Sequence, residues 1–203
     1  MNNLKRLLQP KSIALLGGIW AKNVYAQLRK SHFDGDIWPV HPTKETLGEH
    51  RCFKNLESLP HPPDATFIGV NRHKTIEIIQ ELDQIGAGGA VCFASGFSEL
   101  GPANEKEDGH KLQAELISAA QKLAILGPNC YGFLNYLDNI TLWPDQHGGS
   151  QVDSGVAIIA QSSNIAINLT MQKRSLPIAY VLTVGNQAKS GISDLIEMLL
   201  DDV

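Results

Sequence analysis

Apolar residues in this chain come in short runs separated by longer amphipathic stretches, and that alternation organises the reading. The first run, Ser12-Ile-Ala-Leu-Leu, is strand-sized and ends at Gly17-Gly18. The spacing after it predicts a helix over 23–32 with Asn23 as its N-cap. A second strand falls at 37–41, where Pro39 points to an edge position or an irregular strand. Residues 43–53 are a polar loop, and one helical turn at 55–59 precedes Pro60, Pro62 and Pro63. The runs 65–70 and 90–94 are continuously apolar, as expected of strands covered on both faces. Between them Ile76, Ile78, Ile79, Leu82 and Ile85 lay one stripe along a helix over 74–85. A helix over 109–123, a strand at 124–126 and the tight loop Gly127-Pro-Asn-Cys-Tyr-Gly follow, and 132–137 is assigned to packing.

Strands alternating with helices at this spacing predict right-handed parallel βαβ units. The expected class is α/β, with a Rossmann-like doubly wound parallel sheet over 1–145. Glycines and polar residues mark a low-order stretch from Trp143 onward and a linker at 146–154. The βα pattern restarts over 155–203, with strands at 156–160 and 178–184 and helices at 165–173 and 192–200. Two strands cannot cover both faces of a sheet, so this part is expected to be a truncated α/β domain or one completed by another chain.

Composition narrows the classes. The net charge is -4 and no basic run exists, which excludes a nucleic-acid surface and a polybasic membrane patch. No apolar stretch reaches the length of a membrane span, and 1–12 is too short and too broken by Pro10 for a signal peptide. Three cysteines without paired spacing suggest reduced thiols and a cytoplasmic location. The seven histidines show no metal-ligand spacing, so no metal is expected.

Ligands of open α/β sheets sit at the carboxyl ends of the strands. Here those ends carry Gly17-Gly18-Ile19-Trp20, His41-Pro42, Asn71-Arg72, Ala94-Ser95-Gly96 and Asn129-Cys130, which together predict a ligand groove. The first turn is not a GxGxxG, and Lys44 stands where a dinucleotide site wants an acid. That argues against NAD and for an adenosine carrying an extra phosphate, as in NADP or coenzyme A. Lys44 suits that phosphate, and Lys22 or Arg72 the pyrophosphate. Trp20 either covers adenine or pantetheine or is simply half-buried. Ser162, Ser163 and Asn164 form a separate turn, either an anion cradle or ordinary N-caps, with Gly185-Asn186-Gln187 expected to face the same anion. Cys130 reads as a small residue filling a turn rather than a nucleophile, and no catalytic constellation is found in the chain.

Six segments carry a family resemblance: Pro10-Lys-Ser-Ile-Ala-Leu-Leu-Gly, Trp38-Pro-Val-His-Pro, Ala94-Ser-Gly-Phe, Leu126-Gly-Pro-Asn-Cys-Tyr-Gly, Ala160-Gln-Ser-Ser-Asn and Val184-Gly-Asn-Gln-Ala. In this order they resemble the nucleoside-diphosphate-forming acyl-CoA synthetases, which include ADP-forming acetyl-CoA synthetase and the succinyl-CoA synthetase α subunit. The resemblance implies a CoA-binding Rossmann-like domain followed by the start of a flavodoxin-like ligase domain. It implies that the loop from Gly17 to Asn23 surrounds the CoA phosphates and that Lys44 meets the nucleotide. It also implies that Ala94, Ser95 and Gly96 touch CoA, and that Asn129 and Cys130 lie near the thiol end. Ser162, Ser163 and Asn164 would receive the phosphate of a phosphohistidine. The loop departs from the family's Gly-Ser/Ala-Ser pattern, and the family's histidine comes later than Val203.

The implied activity is ligation of a carboxylic acid to CoA with ATP, through acyl phosphate and phosphohistidine. ATP and Mg enter only through an ATP-grasp domain or subunit, so this chain is expected to bind CoA and to be inactive alone. A homo-oligomer is compatible with this. The competing readings are a non-catalytic CoA-sensing or partner-binding module and an NADP-dependent oxidoreductase.

Overall fold

The structure, a computed structural model, describes residues 3–100, 108–172 and 175–200. The expected helix end at Lys173 and the closing residues Asp201 to Val203 lie outside them. The chain opens with a short helix, α1 (Asn3–Leu8), and then β1 (Ser12–Leu16), whose five residues are all buried. One side of β1 pairs with β2 (Asp36–Val40), which is followed by a small hairpin of β3 (Thr46–Leu47) and β4 (His50–Arg51). The other side pairs with β5 (Ala65–Ile68), and β6 (Gly89–Cys92) and β7 (Ala124–Leu126) continue the sheet. The order is β2-β1-β5-β6-β7, with every pair parallel, so the expected α/β doubly wound sheet is present. Its direction of winding reverses between β1 and β5, which places a crevice above their carboxyl ends.

Pro39 does sit on the edge strand. Having no N–H, it accepts there instead: Phe53 donates its N–H to the Pro39 carbonyl at 2.8 Å, and the His41 N–H goes to the Phe53 carbonyl.

The helices sort by face. α1 and α2 (Gly18–Lys30) pack with Ile13, Leu15, Phe67 and Val91 on one side of the sheet. α3 (Arg72–Ile85) and α4 (Gly109–Ala119) bury Ile78, Ile79, Leu82, Leu112 and Leu116 on the other. The start of α2 corrects the expectation from sequence. Its N-cap is Gly17, and Asn23 lies inside the helix. β1 must turn directly beside β5, and Gly17 does so at φ 115°. A Cβ there would lie 2.8 Å from the Gly69 Cα, so only glycine fits.

The second sheet has four strands where the sequence pattern gave two. β8 (Phe133–Asn135), β9 (Ile140–Leu142), β10 (Val156–Ala160) and β11 (Ile178–Thr183) form the order β10-β11-β8-β9. β10 and β11 are parallel, and the other pairs are antiparallel. The stretch 132–137, read as packing, thus carries β8, which hydrogen-bonds into the second sheet. Phe133, Leu142 and Leu182 share one apolar cluster with Leu15, Phe67 and Val91, so the two sheets share a core. The far face of the second sheet carries Leu134, Tyr136, Trp143 and Val181 beneath α5 (Ser163–Thr170), while α6 (Ile192–Leu200) packs Leu195 and Met198 into the shared core. Trp143, placed by sequence at the start of a low-order stretch, is fully buried. Among the described residues no helix is long and apolar enough to cross a membrane.

Candidate functional site

The crevice between β1 and β5 opens into a cleft of about 820 Å³. Each parallel strand from β1 to β7, except the edge strand β2, sends a loop or helix start to it. α2 contributes Trp20, and the turn after β5 contributes Gly69 to His73. The loop after β6 brings Phe93, Ala94 and Ser95, and the loop after β7 brings Asn129, Cys130 and Tyr131. The remaining wall comes from the second sheet, as Gln161 to Asn164 ahead of α5. The turn at Ser162, Ser163 and Asn164, expected to be separate, therefore faces Asn71 and Arg72 across one space. The Ser163 hydroxyl accepts the Tyr131 N–H at 3.2 Å and ties the two walls together.

The helix starts around the cleft differ in what their first-turn amides meet. The first amides of any helix have no partner within it. At α3 the Asn71 side chain accepts the Lys74 N–H at 3.0 Å, so that oxygen is already used. Neither α2 nor α5 has a side chain hydrogen-bonded as its cap. Their first-turn amides lack a side-chain cap, and a helix start of this kind favours an anion.

The other predicted residues lie elsewhere. Gly17, Gly18, His41 and Lys44 line a shallow depression on the β2 side of α2, with Cys52 as neighbour. The His41 Nδ1 accepts the Lys44 N–H at 3.0 Å and the Thr43 N–H at 3.2 Å, which holds the turn that carries Lys44. Ile19, Lys22 and Pro42 are exposed, Asn23 is half-buried, and none of the four lines either space. Gly96 is buried and donates its N–H to Glu99. Gly185, Asn186 and Gln187 do not line the cleft, contrary to expectation. The Asn186 amide instead donates to Glu99 and to Gln113, because Gly185 is wedged against the Pro128 and Asn129 carbonyls.

Burial pushes the Cys130 thiol up to about 12, so it is not a thiolate nucleophile at neutral pH. Cys92, fully buried beside it, is also raised well above the ordinary range. Among the described residues no group of His, Cys, Asp and Glu side chains is arranged to hold a metal.

Sequence reasoning missed Phe93 and Tyr131 in the cleft. The Trp20 and Phe93 rings lie 4.5 Å apart between centroids, and Phe93 and Tyr131 lie 5.6 Å apart. The available signal was positional: each aromatic follows the carboxyl end of a parallel strand.

Known proteins are similar to this chain in sequence and fold. A trans-feruloyl-CoA synthase from an unidentified prokaryote is 33% identical over 98% of this chain and 29% of its own length. The alpha subunit of acetate–CoA ligase [ADP-forming] II from Pyrococcus furiosus is 27% identical over 98% of this chain and 43% of its own. The chain therefore spans less than half the length of both relatives. Among solved structures, apo acetyl-coenzyme A synthetase 1 of Ca. Korarchaeum cryptofilum superposes with a TM-score of 0.84 at 27% identity, over 96% of this chain and 43% of that one. The profile of the CoA binding domain family matches residues 11–136, well over half the sequence, and the chain belongs to that family.

Proposed function

We propose that this chain is the CoA-binding portion of an ADP-forming acyl-CoA synthetase. The carrying observation is the cleft itself. Four loops of the first sheet and the uncapped start of α5 converge on one space that runs from Trp20 and Gly69 to Asn129, Cys130 and Ser162. On this reading the nucleotide end of CoA lies by Gly17, Gly18, His41 and Lys44, with the lysine on the adenosine phosphate. The pantetheine arm follows Trp20, Ala94 and Ser95 toward Asn129 and Cys130. Ser162, Ser163 and Asn164 offer main-chain and hydroxyl donors to an anionic phosphoryl or carboxylate group. Bound CoA supplies the thiol that takes the acyl group.

The whole protein would join a carboxylic acid to CoA using ATP. ATP and Mg would be handled by an ATP-grasp domain or partner subunit, a reading supported by the similarity to a protein named as an alpha subunit. Residues 155–203, with the β8–β9 hairpin, begin the flavodoxin-like ligase domain. Three free, buried cysteines support a cytoplasmic setting.

Isothermal titration tests this reading. CoA is expected to bind the 203-residue chain with a Kd in the micromolar range, and NADH and NADPH to give no measurable heat. Tight NADPH binding without CoA binding would overturn it in favour of an oxidoreductase.

A further inference from the structure

We propose that Arg72 grips the pyrophosphate at the middle of CoA and is seated for that task on Gly96. The inference rests on the CoA reading above and adds the side chain that binds the diphosphate link.

Arg72 is the first residue of α3 and lines the cleft half-buried. Its side chain lies across Gly96: a Cβ on that residue would come within 3.0 Å of the Arg72 Cδ and 3.1 Å of its Cζ. Gly96 sits at φ 99°, and it donates its N–H to Glu99, which also accepts the Phe97 N–H. The loop after β6 thus forms a bare seat for the guanidinium, itself held by a carboxylate. A guanidinium presents a planar fork of N–H donors that matches two oxygens of a phosphate. Of the described residues that line the cleft only Arg72 and His73 are basic and none is acidic, so the space favours an anion.

Position selects the pyrophosphate. The turn after β5 meets the start of α2 directly, since a Cβ on Gly17 would lie 2.8 Å from the Gly69 Cα. Arg72 follows in that turn, and its side chain reaches Gly96 in the β6 loop, next to Ser95. In the proposed path the nucleotide end of CoA lies by Gly17 and Gly18, and the pantetheine arm follows Trp20, Ala94 and Ser95. The diphosphate that joins them crosses the ground between, where Arg72 stands. The first turn of α2 supplies no charge for it, because Gly18, Ile19, Trp20 and Ala21 carry none. Lys22, the other cation suited to the pyrophosphate by sequence, is exposed and lines neither space.

The test titrates the 203-residue chain and its Arg72 variants with three ligands. They are CoA, inorganic phosphate, and dephospho-CoA, which keeps the pyrophosphate but lacks the extra phosphate on the adenosine. Arg72→Ala is expected to weaken CoA and dephospho-CoA alike, about tenfold each at low salt, and the loss should shrink at high salt. Arg72→Lys should recover only part of it, because an ammonium lacks the fork. Circular dichroism melting checks that the variants fold, and Arg72→Gln takes the place of the alanine variant if truncation unfolds the chain. Unchanged affinity for both coenzymes, with CoA still binding, would overturn the assignment and leave the CoA reading intact. A loss for CoA but not for dephospho-CoA would also overturn it, by moving the guanidinium to the adenosine phosphate. So would a loss confined to inorganic phosphate, which would assign Arg72 to a separate phosphoryl group facing Ser162 to Asn164. Failure of CoA to bind the unaltered chain would overturn the CoA reading and this assignment with it.

Discussion

Replacing His147 by glutamine should remove a large part of the acid sensitivity of this fold. The His147 Nδ1 shares a 2.9 Å hydrogen bond with the Tyr136 hydroxyl, and its Nε2 is buried with no hydrogen-bond partner. Burial, helped by the charge of Lys30, pushes the imidazole down from 6.5 to about 4. In the unfolded chain the ring protonates near 6.5, while in the folded protein it resists until about 4. Between those values the unfolded state holds more protons, so stability falls as the pH drops through the window and is constant above it. The gap corresponds to a ceiling of about 3 kcal/mol, and partial access of solvent to the ring lowers this to roughly 2 kcal/mol. His147→Gln keeps a partner for Tyr136 but cannot titrate. Urea unfolding at pH 7, 5.5 and 4.5 should show the wild type losing about 2 kcal/mol more than the variant across that range. Glu99, whose carboxyl is held below its usual range by Asn186 and the Gly96 and Phe97 amides against the opposing effect of burial, titrates identically in both proteins and cancels. Parallel stability curves for the two proteins would refute the reasoning.

Other outcomes follow from single contacts. Lys44→Ala should weaken CoA about tenfold in low-salt calorimetry and leave dephospho-CoA unchanged, because in the proposed binding mode only the extra phosphate meets the lysine. Gly17→Ala should lower the melting temperature by several degrees, since it forces φ 115° on alanine and drives its Cβ into the Gly69 backbone. Glu99→Ala should cost about 1–2 kcal/mol in urea unfolding, because the amides of Gly96, Phe97 and Asn186 lose a common acceptor. Cys130, with its thiol at about 12, should resist iodoacetamide at pH 8 in the folded protein and react once urea unfolds it.

The parts of the fold legible in the sequence were those written locally. The buried runs at 12–16, 65–68 and 124–126 are too continuously apolar to be anything but covered strands. Pro39 announced its edge. The Gly17 turn was visible, but the helix start was not, because glycine and isoleucine at 18 and 19 are weak helix formers and Asn23 is a better cap by type. There the close approach of Gly69 overrides propensity. β8 and β9 have three residues each, and β8 joins them to the sheet by pairing with β11, more than forty positions away, which no short window encodes. Trp143 was hidden by the polar composition that follows it. Of the cleft, the strand ends were readable in order. Their meeting with Ser162 to Asn164 was not, because it depends on how the second sheet docks.

That docking also decides how the protein can be cut. The second sheet takes β8 and β9 from before the polar stretch at 146–154 and β10 and β11 from after it. A protease that nicks this stretch severs the chain but not the sheet, because the β8–β11 hydrogen bonds and the shared core hold both pieces. The fragments should co-migrate until denaturant parts them. Expressed alone, the longer piece would carry a two-stranded ribbon with a bare flank.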